Sequence, residues 1–388
     1  MPQRDGYEDL LGYYQFQTGP IPKREKLKAG LEETISGDEA KVVLLLPFAG
    51  PMKPEKLFRK AKQRLGLTEE QLEPLLDHLL HEAFILRYTG KDGLVYERAF
   101  CSYMAEQQVR MRKGTPLGEV YAQYWDDLST ISIERLPTRT PYYRVMAVEE
   151  TVTGEGRRRM IHVGEDIEDT RATLPIDVIS EMVRKEPLIA VAECYCRLSQ
   201  GMLGRPCSHP RETCFTFNEL AQPLIEIGLA RRIEADEAIA ILRNAEKAGL
   251  IHNVDNCEGH LKSMCNCCPC CCPAVKAYER GIKNVGAPSR FRSVLDPALC
   301  NLCEACVPVC HMHAIRMDDG ALLMDGERCI GCGHCASACP EEAIQMAPRS
   351  NPPRPAATND ALWAKIRREA MVGMVTRRLF GRGPRASA

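Results

Sequence analysis

The stretch CNLCEACVPVCHMHAIRM, Cys300 to Met317, returns 29 residues later as CIGCGHCASACPEEAIQM, Cys329 to Met346. Both copies carry the spacing C-x2-C-x2-C-x3-C and reach Ala-Ile at the same offset. A cubane iron–sulfur core has four iron corners, and each takes a thiolate. Three cysteines two residues apart wrap a tight loop over three corners, so a fourth thiolate must arrive from elsewhere. This is the ligand spacing of a chain that holds two four-iron clusters. Zinc also uses C-x2-C pairs, but it couples two pairs, or a pair with histidines, and fits a repeated triple poorly. Disulfides fit less well still, because twenty cysteines without a secretory signal point to a reducing compartment.

Over roughly Ser293 to Pro348 the chain resembles the bacterial-type two-cluster ferredoxins, including the Cys339-Pro340 ending. The resemblance implies a small pseudo-symmetric fold with two [4Fe-4S] clusters. In such proteins the last cysteine of each run ligates the other cluster. One cluster is then expected on Cys300, Cys303, Cys306 and Cys339, and the second on Cys329, Cys332, Cys335 and Cys310. The first copy departs from the pattern, with His311 after Cys310 and Pro308 inside the run as a turn former. His311, His313 and His334 flank the cysteines. A histidine there can donate to a cluster sulfur, but a surface position is the plainer expectation.

A second cysteine set lies upstream. Cys194, Cys196, Cys207 and Cys214 fall in ECYCRLSQGMLGRPCSHPRETC, Cys257 stands alone, and CNCCPCCC places six cysteines between Cys265 and Cys272. A free cysteine is usually a small buried hydrophobe, but adjacent side chains point in opposing directions, so that reading cannot cover the whole run. Dense thiols in a reduced protein indicate metal. The set resembles the central region of iron–sulfur dicluster proteins of anaerobic microbes, on Cys194, Cys196, Arg197, Cys207, Cys214, Cys265, Asn266, Cys267, Cys268 and Cys270. That resemblance implies one or two further iron–sulfur clusters and no particular reaction. Cys194, Cys196, Cys207 and Cys214 suffice for one cubane and the run for another; equally, the run closes the cluster begun at Cys194. Arg197 either neutralises cluster charge or is a surface arginine. Helices are expected over Phe217–Gly228 and Ala235–Gly249, the second with Gly249 as C-cap.

At 388 residues the chain has room for several domains, and its net charge of −1 provides no field for nucleic acid. No apolar stretch reaches the length of a membrane span. Residues Pro54 to Phe100 read as a winged helix: a basic helix from Glu55 to Leu65, then a helix capped by Thr68 with Gln71 in a capping box. Leu72, Leu75, Leu76, Leu79 and Leu80 form its apolar stripe, Pro74 shifts its start, and a hairpin turns at Lys91-Asp92-Gly93. The helix that would enter a DNA groove carries Glu69, Glu70, Glu73, Asp77 and Glu82, with no lysine or arginine, and phosphate would repel it. A docking or structural role is the better expectation.

The expected architecture is α+β and multidomain. It comprises a winged-helix-like part (1–120), a connector with a hairpin around Thr153–Gly156 (121–173), a mainly helical cysteine-rich domain (174–290), a dicluster ferredoxin fold (291–348), and a proline-rich linker with a basic amphipathic helix, Asn359–Phe380 (349–388). That helix suits an acidic partner, an anionic membrane surface, or packing on its own chain. With no GxGxxG and no phosphate loop, a nicotinamide or flavin site is not indicated. The expected function is a cytoplasmic electron carrier relaying single electrons between redox proteins. A reductase working at the central cluster and a redox-sensing regulator are the alternatives.

Overall fold

The computed structural model describes residues 5–380, apart from 49, 91–92, 136–137, 154–173 and 283. The chain forms two compact units that interleave in sequence. The first takes Met1–Arg135, Ala192–Glu212 and Glu219–Arg232; the second takes the remainder.

In the first unit two helices begin at capping boxes that the sequence provides. Ser36 and Glu39 form a capping box at the helix Gly37–Leu45, with Ser36 N donating to Glu39 Oε2 at 2.7 Å. Thr68 and Gln71 form the expected one at the helix Glu69–His81, whose start Pro74 does not shift. The basic helix Pro54–Leu65 ends at Gly66, held at a φ of +71° that favours glycine. Leu72, Leu76 and Leu79 are buried, whereas Leu75 and Leu80 lie at the margin of the stripe. The strands Ile85–Gly90 and Gly93–Arg98 form an antiparallel hairpin, and its turn residues 91–92 lie outside the described residues. Glu82 does not belong to the acidic outer face: it is buried, and Arg112 Nη2 donates to its Oε2 at 2.6 Å. The expected connector begins inside a helix, Pro116–Arg135.

The second unit contains a sheet where mainly helical structure was expected. Its strands follow the order Ile189–Glu193, Glu212–Phe217, Ser263–Cys267, Ile251–Asp255, Tyr143–Met146, Gly286–Ala287. Two of them carry cysteines, Cys214 in Glu212–Phe217 and Cys265 and Cys267 in Ser263–Cys267. The run was read by its cysteines, but Ser263–Cys267, which leads into it and includes its first three residues, alternates like a strand, and β pairing with Ile251–Asp255 decided the outcome. Val191, Phe215, Phe217, Val254 and Met264 from these strands pack against Ile179, Met182, Val183, Ala238 and Leu242. The helix Ala235–Lys247 closes with Leu250 N donating to Ala245 O and Gly249 N to Glu246 O, a Schellman motif with Gly249 at φ +72°. The hairpin expected around Thr153–Gly156 lies largely outside the described residues. Its described part, Glu150–Thr153, is a short helix, and Tyr143–Met146 pairs with Ile251–Asp255 instead.

The C-terminal cysteine module rests on two antiparallel ribbons, Phe291–Leu295 with Ile344–Pro348 and Ile315–Asp318 with Ala321–Met324. Beyond it, Ala356 bridges to Cys257, and Asn359 Nδ2 lies 3.9 Å from Cys257 Sγ. Burial pushes that thiol up to about 12, so Cys257 anchors the linker as a neutral buried group. The final helix, Asn359–Phe380, matches its expected bounds. Glu369 on it accepts from Thr140 Oγ1 at 2.7 Å and from the Thr140 and Arg139 amides. Among the described residues, no helix is long and apolar enough to cross a membrane.

Candidate metal centres

The sequence repeat is also a repeat of backbone conformation. Leu302, Glu304 and His313 have φ of 60°, 58° and 50°, and 29 residues on Gly331, Gly333 and Glu342 have 71°, 86° and 52°. These left-handed residues curl each loop so that its three cysteines converge. An L side chain in this region costs about 1–2 kcal/mol. The second copy avoids that cost at two of its three positions with glycines, and the first carries it at all three.

Each loop faces a cavity. One, of about 250 Å³, is lined by Cys310, Cys329, Cys332 and Cys335, together with Ile251, Ser293 and Ile315. A smaller one is lined by Cys300, Cys303, Cys306 and Cys339, together with Glu304 and Glu341. In the larger cavity four thiols surround room for an inorganic core, with apolar side chains among the walls, as a cubane requires. Burial pushes Cys332 and Cys335 up to about 12 and raises Cys306. Such thiols ionise only when a metal takes the sulfur, since a coordinating thiol is deprotonated outright. Ser293 Oγ lies 3.0 Å from Cys335 Sγ and 3.9 Å from Cys329 Sγ, and Ala314 N donates to Cys310 Sγ at 3.3 Å. Nothing in the sequence singled out Ser293, because the ribbon that brings it to the cysteines is a long-range pairing.

The surroundings of the two loops differ. Backbone carbonyls of the second are tied down: Val148 N donates to Cys332 O and Ser289 N to Ile330 O, each at 2.9 Å, and Arg349 Nη2 to Cys329 O at 2.6 Å. A Cβ on Gly331 would meet Phe291 O at 2.1 Å. In the first loop Asn301, Leu302, Cys303 and Glu304 are exposed. Two of the three flanking histidines are not surface residues. His334 is buried and its Nε2 donates to Leu250 O at 3.1 Å, while His311 Nε2 donates to Gly249 O at 2.8 Å. Desolvation depresses His334 to about 4, so it stays neutral. Only His313 is exposed, paired with Glu279 at 3.3 Å.

The upstream cysteines divide between the units. Cys194 and Cys196 stand at the start of the helix Tyr195–Met202, where the helix dipole favours thiolate. Between them Tyr195 packs edge-on to Trp125, with the Arg110 guanidinium over its ring. Arg197 is buried rather than on the surface, and its Nη1 donates to Pro210 O at 2.6 Å. Cys207 Sγ lies 3.2 Å from His209 Nδ1. Those three cysteines are in the first unit; Cys214 and the whole run are in the second.

Within the second unit Cys214 stands opposite Cys265 in the strand register. Directly opposed residues share a sheet face, as do residues i and i+2, so Cys214, Cys265 and Cys267 lie on one face. Cys267 is in sulfur contact with both Cys265 and Cys272, which together with burial push its thiol far up. Tyr143 Oη lies 3.7 Å from Cys265 Sγ. On the other face Asn266 hydrogen-bonds His252 Nδ1 and donates to Thr213 O at 2.7 Å, and His252 Nε2 lies 3.2 Å from Glu246 Oε1.

Comparison with known proteins agrees with the geometry at the C-terminus. Residues 299–344 match the model of the 4Fe-4S dicluster domain. A tetrathionate reductase subunit of Salmonella typhimurium is 46% identical over 54 residues, 13% of this chain and 22% of that protein. A ferredoxin of Methanocaldococcus jannaschii, itself uncharacterized, is 45% identical over 65 residues, 16% of this chain and 43% of its own. The thiosulfate reductase electron transfer subunit of Salmonella typhi is 28% identical over 113 residues, 26% of this chain and 56% of its length. The chain thus spans less than two thirds of each. No solved structure matches. The module from Cys300 to Cys339 is a 4Fe-4S dicluster domain, and its cofactors are two [4Fe-4S] clusters.

Proposed function

We propose that the chain is an electron relay, passing single electrons between an external redox partner and the central cysteine region through the two clusters. The crossed ligand sets are part of this reading. Cys300, Cys303, Cys306 and Cys339 hold an outer cluster; Cys329, Cys332, Cys335 and Cys310 hold an inner one. The two separate cavities support that sorting.

The observation that carries the relay is Ile251. It lines the cavity of the inner set, and it stands opposite Cys267 in the strand register. Opposed residues on neighbouring strands have Cβ atoms about 4.5–5.5 Å apart. One aliphatic side chain therefore separates the inner cluster from the central thiols. In this reading Cys214, Cys265, Cys267 and Cys272 serve a further iron–sulfur centre, while Cys194, Cys196 and Cys207 are the thiolates the first unit offers to metal.

Around the exposed Cys303, residues Glu304, Glu341 and Glu342 are also exposed. An acidic rim steers a partner with a basic face and makes association depend on salt. The role named for the Salmonella typhi relative, electron transfer in a reductase, belongs to the same class. We assign the chain to anaerobic redox metabolism in a reducing compartment, as a subunit that feeds or drains an oxidoreductase. The helix–helix–hairpin of the first unit serves as a winged-helix-like docking module, since the exposed acidic face of Glu69–His81 disfavours DNA. The bonds from Glu369 to Thr140 favour packing of the C-terminal helix on its own chain.

Cys339→Ser tests both the crossing and the relay. In oxygen-free protein it should remove the paramagnetic signal of the outer cluster and abolish rapid reduction of the central centre by an external donor. Loss of the inner signal instead would refute the crossed ligation. Central reduction at the unaltered rate would refute the relay.

A further inference from the structure

The run CNCCPCCC splits into two sets of sulfurs. The strand Ser263–Cys267 ends at Cys267, and Pro269 opens a turn whose Cys272 N donates to Cys268 O at 3.1 Å. Proline fixes φ for such a turn. Cys272 then caps the helix Pro273–Glu279. The consequence is a partition. Cys265, Cys267 and Cys272 touch one another through Cys267. Separately, the sulfurs of Cys268, Cys270 and Cys271 all lie within 4.8 Å of one another, with Cys270 and Cys271 at 3.7 Å.

That second spacing is informative. Sulfurs bound about 2.3 Å from one tetrahedral ion are about 3.8 Å apart. A cubane puts each thiolate on a different iron corner and holds them farther apart. The dicluster domain is an internal control: among the described residues, neither of its cysteine sets closes to within 4.8 Å throughout. The turn thus gathers its three sulfurs more tightly than either cubane loop.

We propose that Cys268, Cys270 and Cys271 supply three ligands to a single zinc ion, a mononuclear site separate from the iron–sulfur centres. A fourth ligand completes the tetrahedron. Zinc suits an all-thiolate tetrahedral site and has no redox chemistry of its own. It would pin the turn, and with it the position of Cys267 and Cys272, without joining the electron path. The site goes beyond the relay reading and survives its failure.

The test is metal and sulfide analysis of full-length protein purified without oxygen. Wild type should hold one zinc per chain beyond its iron. Cys270→Ser should lower zinc affinity on the order of tenfold or more, as loss of metal-site partners does, with iron, acid-labile sulfide and paramagnetic signals unchanged. Wild type free of zinc, or Cys270→Ser losing iron and sulfide in proportion, would overturn the proposal in favour of a cluster or a lone iron. Should Cys270→Ser fold poorly, cadmium exchange into wild type keeps the question open to decision. One cadmium with intense thiolate charge-transfer absorption and undiminished iron is expected, and cadmium uptake only at the expense of iron would overturn the site.

Discussion

The two cysteine loops of the dicluster domain share ligand spacing and backbone conformation, yet they meet opposite environments. The second is tied through the carbonyls of Cys329, Ile330 and Cys332 and pressed against Phe291. The first stands in solvent, with Leu302 43% exposed although it occupies the position matching the buried Gly331. Duplicated chemistry has been given an inside and an outside. The relay proposed above would use this asymmetry: an exposed centre would exchange electrons with a partner, and an enclosed one would pass them inward at a potential the protein controls. Exposure and hydrogen bonds to sulfur are the levers on that potential.

The largest consequence of the difference should appear at the matched pair Gly331 and Leu302. In Gly331→Ala the new methyl meets Phe291 O at 2.1 Å in a left-handed backbone. A stability loss on the order of 3 kcal/mol or more is expected, with depletion of the Cys329-set cluster. Leu302→Ala should leave both clusters in place. Anaerobic denaturation with iron analysis measures the pair, and equal losses would erase the inside–outside distinction.

A smaller effect is expected at Ser293, which touches two cysteine sulfurs of the inner set and the Met346 sulfur. A hydrogen bond to a cluster thiolate favours the more negative, reduced form. Ser293→Ala should therefore lower one potential and leave the other unmoved. A differential hydrogen-bond energy of about 1 kcal/mol corresponds to about 40 mV for one electron. A redox titration resolving both centres would contradict the assignment if the two shifted together.

The smallest effect belongs to the outer loop. Glu304 has φ 58° where the inner copy has Gly333. Glycine relieves about 1 kcal/mol of left-handed strain and loses roughly 0.5–1 kcal/mol to chain entropy. Glu304→Gly should then change stability by no more than about 0.5 kcal/mol. A denaturation midpoint shifted well beyond that would mean that the outer loop is held more tightly than its exposure implies.

Legibility in the sequence followed the range of the interactions. Spacing alone pointed to the dicluster domain that residues 299–344 match, because loop geometry over a cubane is local. The Thr68 capping box and the bounds of the helix Asn359–Phe380 were readable for the same reason. His334 was not: it lies two residues from Cys332, and only the closing turn after Lys247 brings the Leu250 carbonyl to its ring. The sequence left Arg197 open between a cluster neighbour and a surface arginine and placed Glu82 on an acidic outer face, and the Pro210 carbonyl and Arg112 decided their burial.

The sequence by itself determined that this chain carries paired four-iron clusters, since cysteine spacing encodes which thiols can converge. Tertiary structure alone decided which cysteine loop faces outward, which sulfurs of CNCCPCCC go together, and that Ile251 both lines the cavity of the Cys329 loop and stands opposite Cys267 in the strand register. Those outcomes depend on strand register and a turn, and register is set by burial across the whole sheet rather than by the residues nearest the thiols.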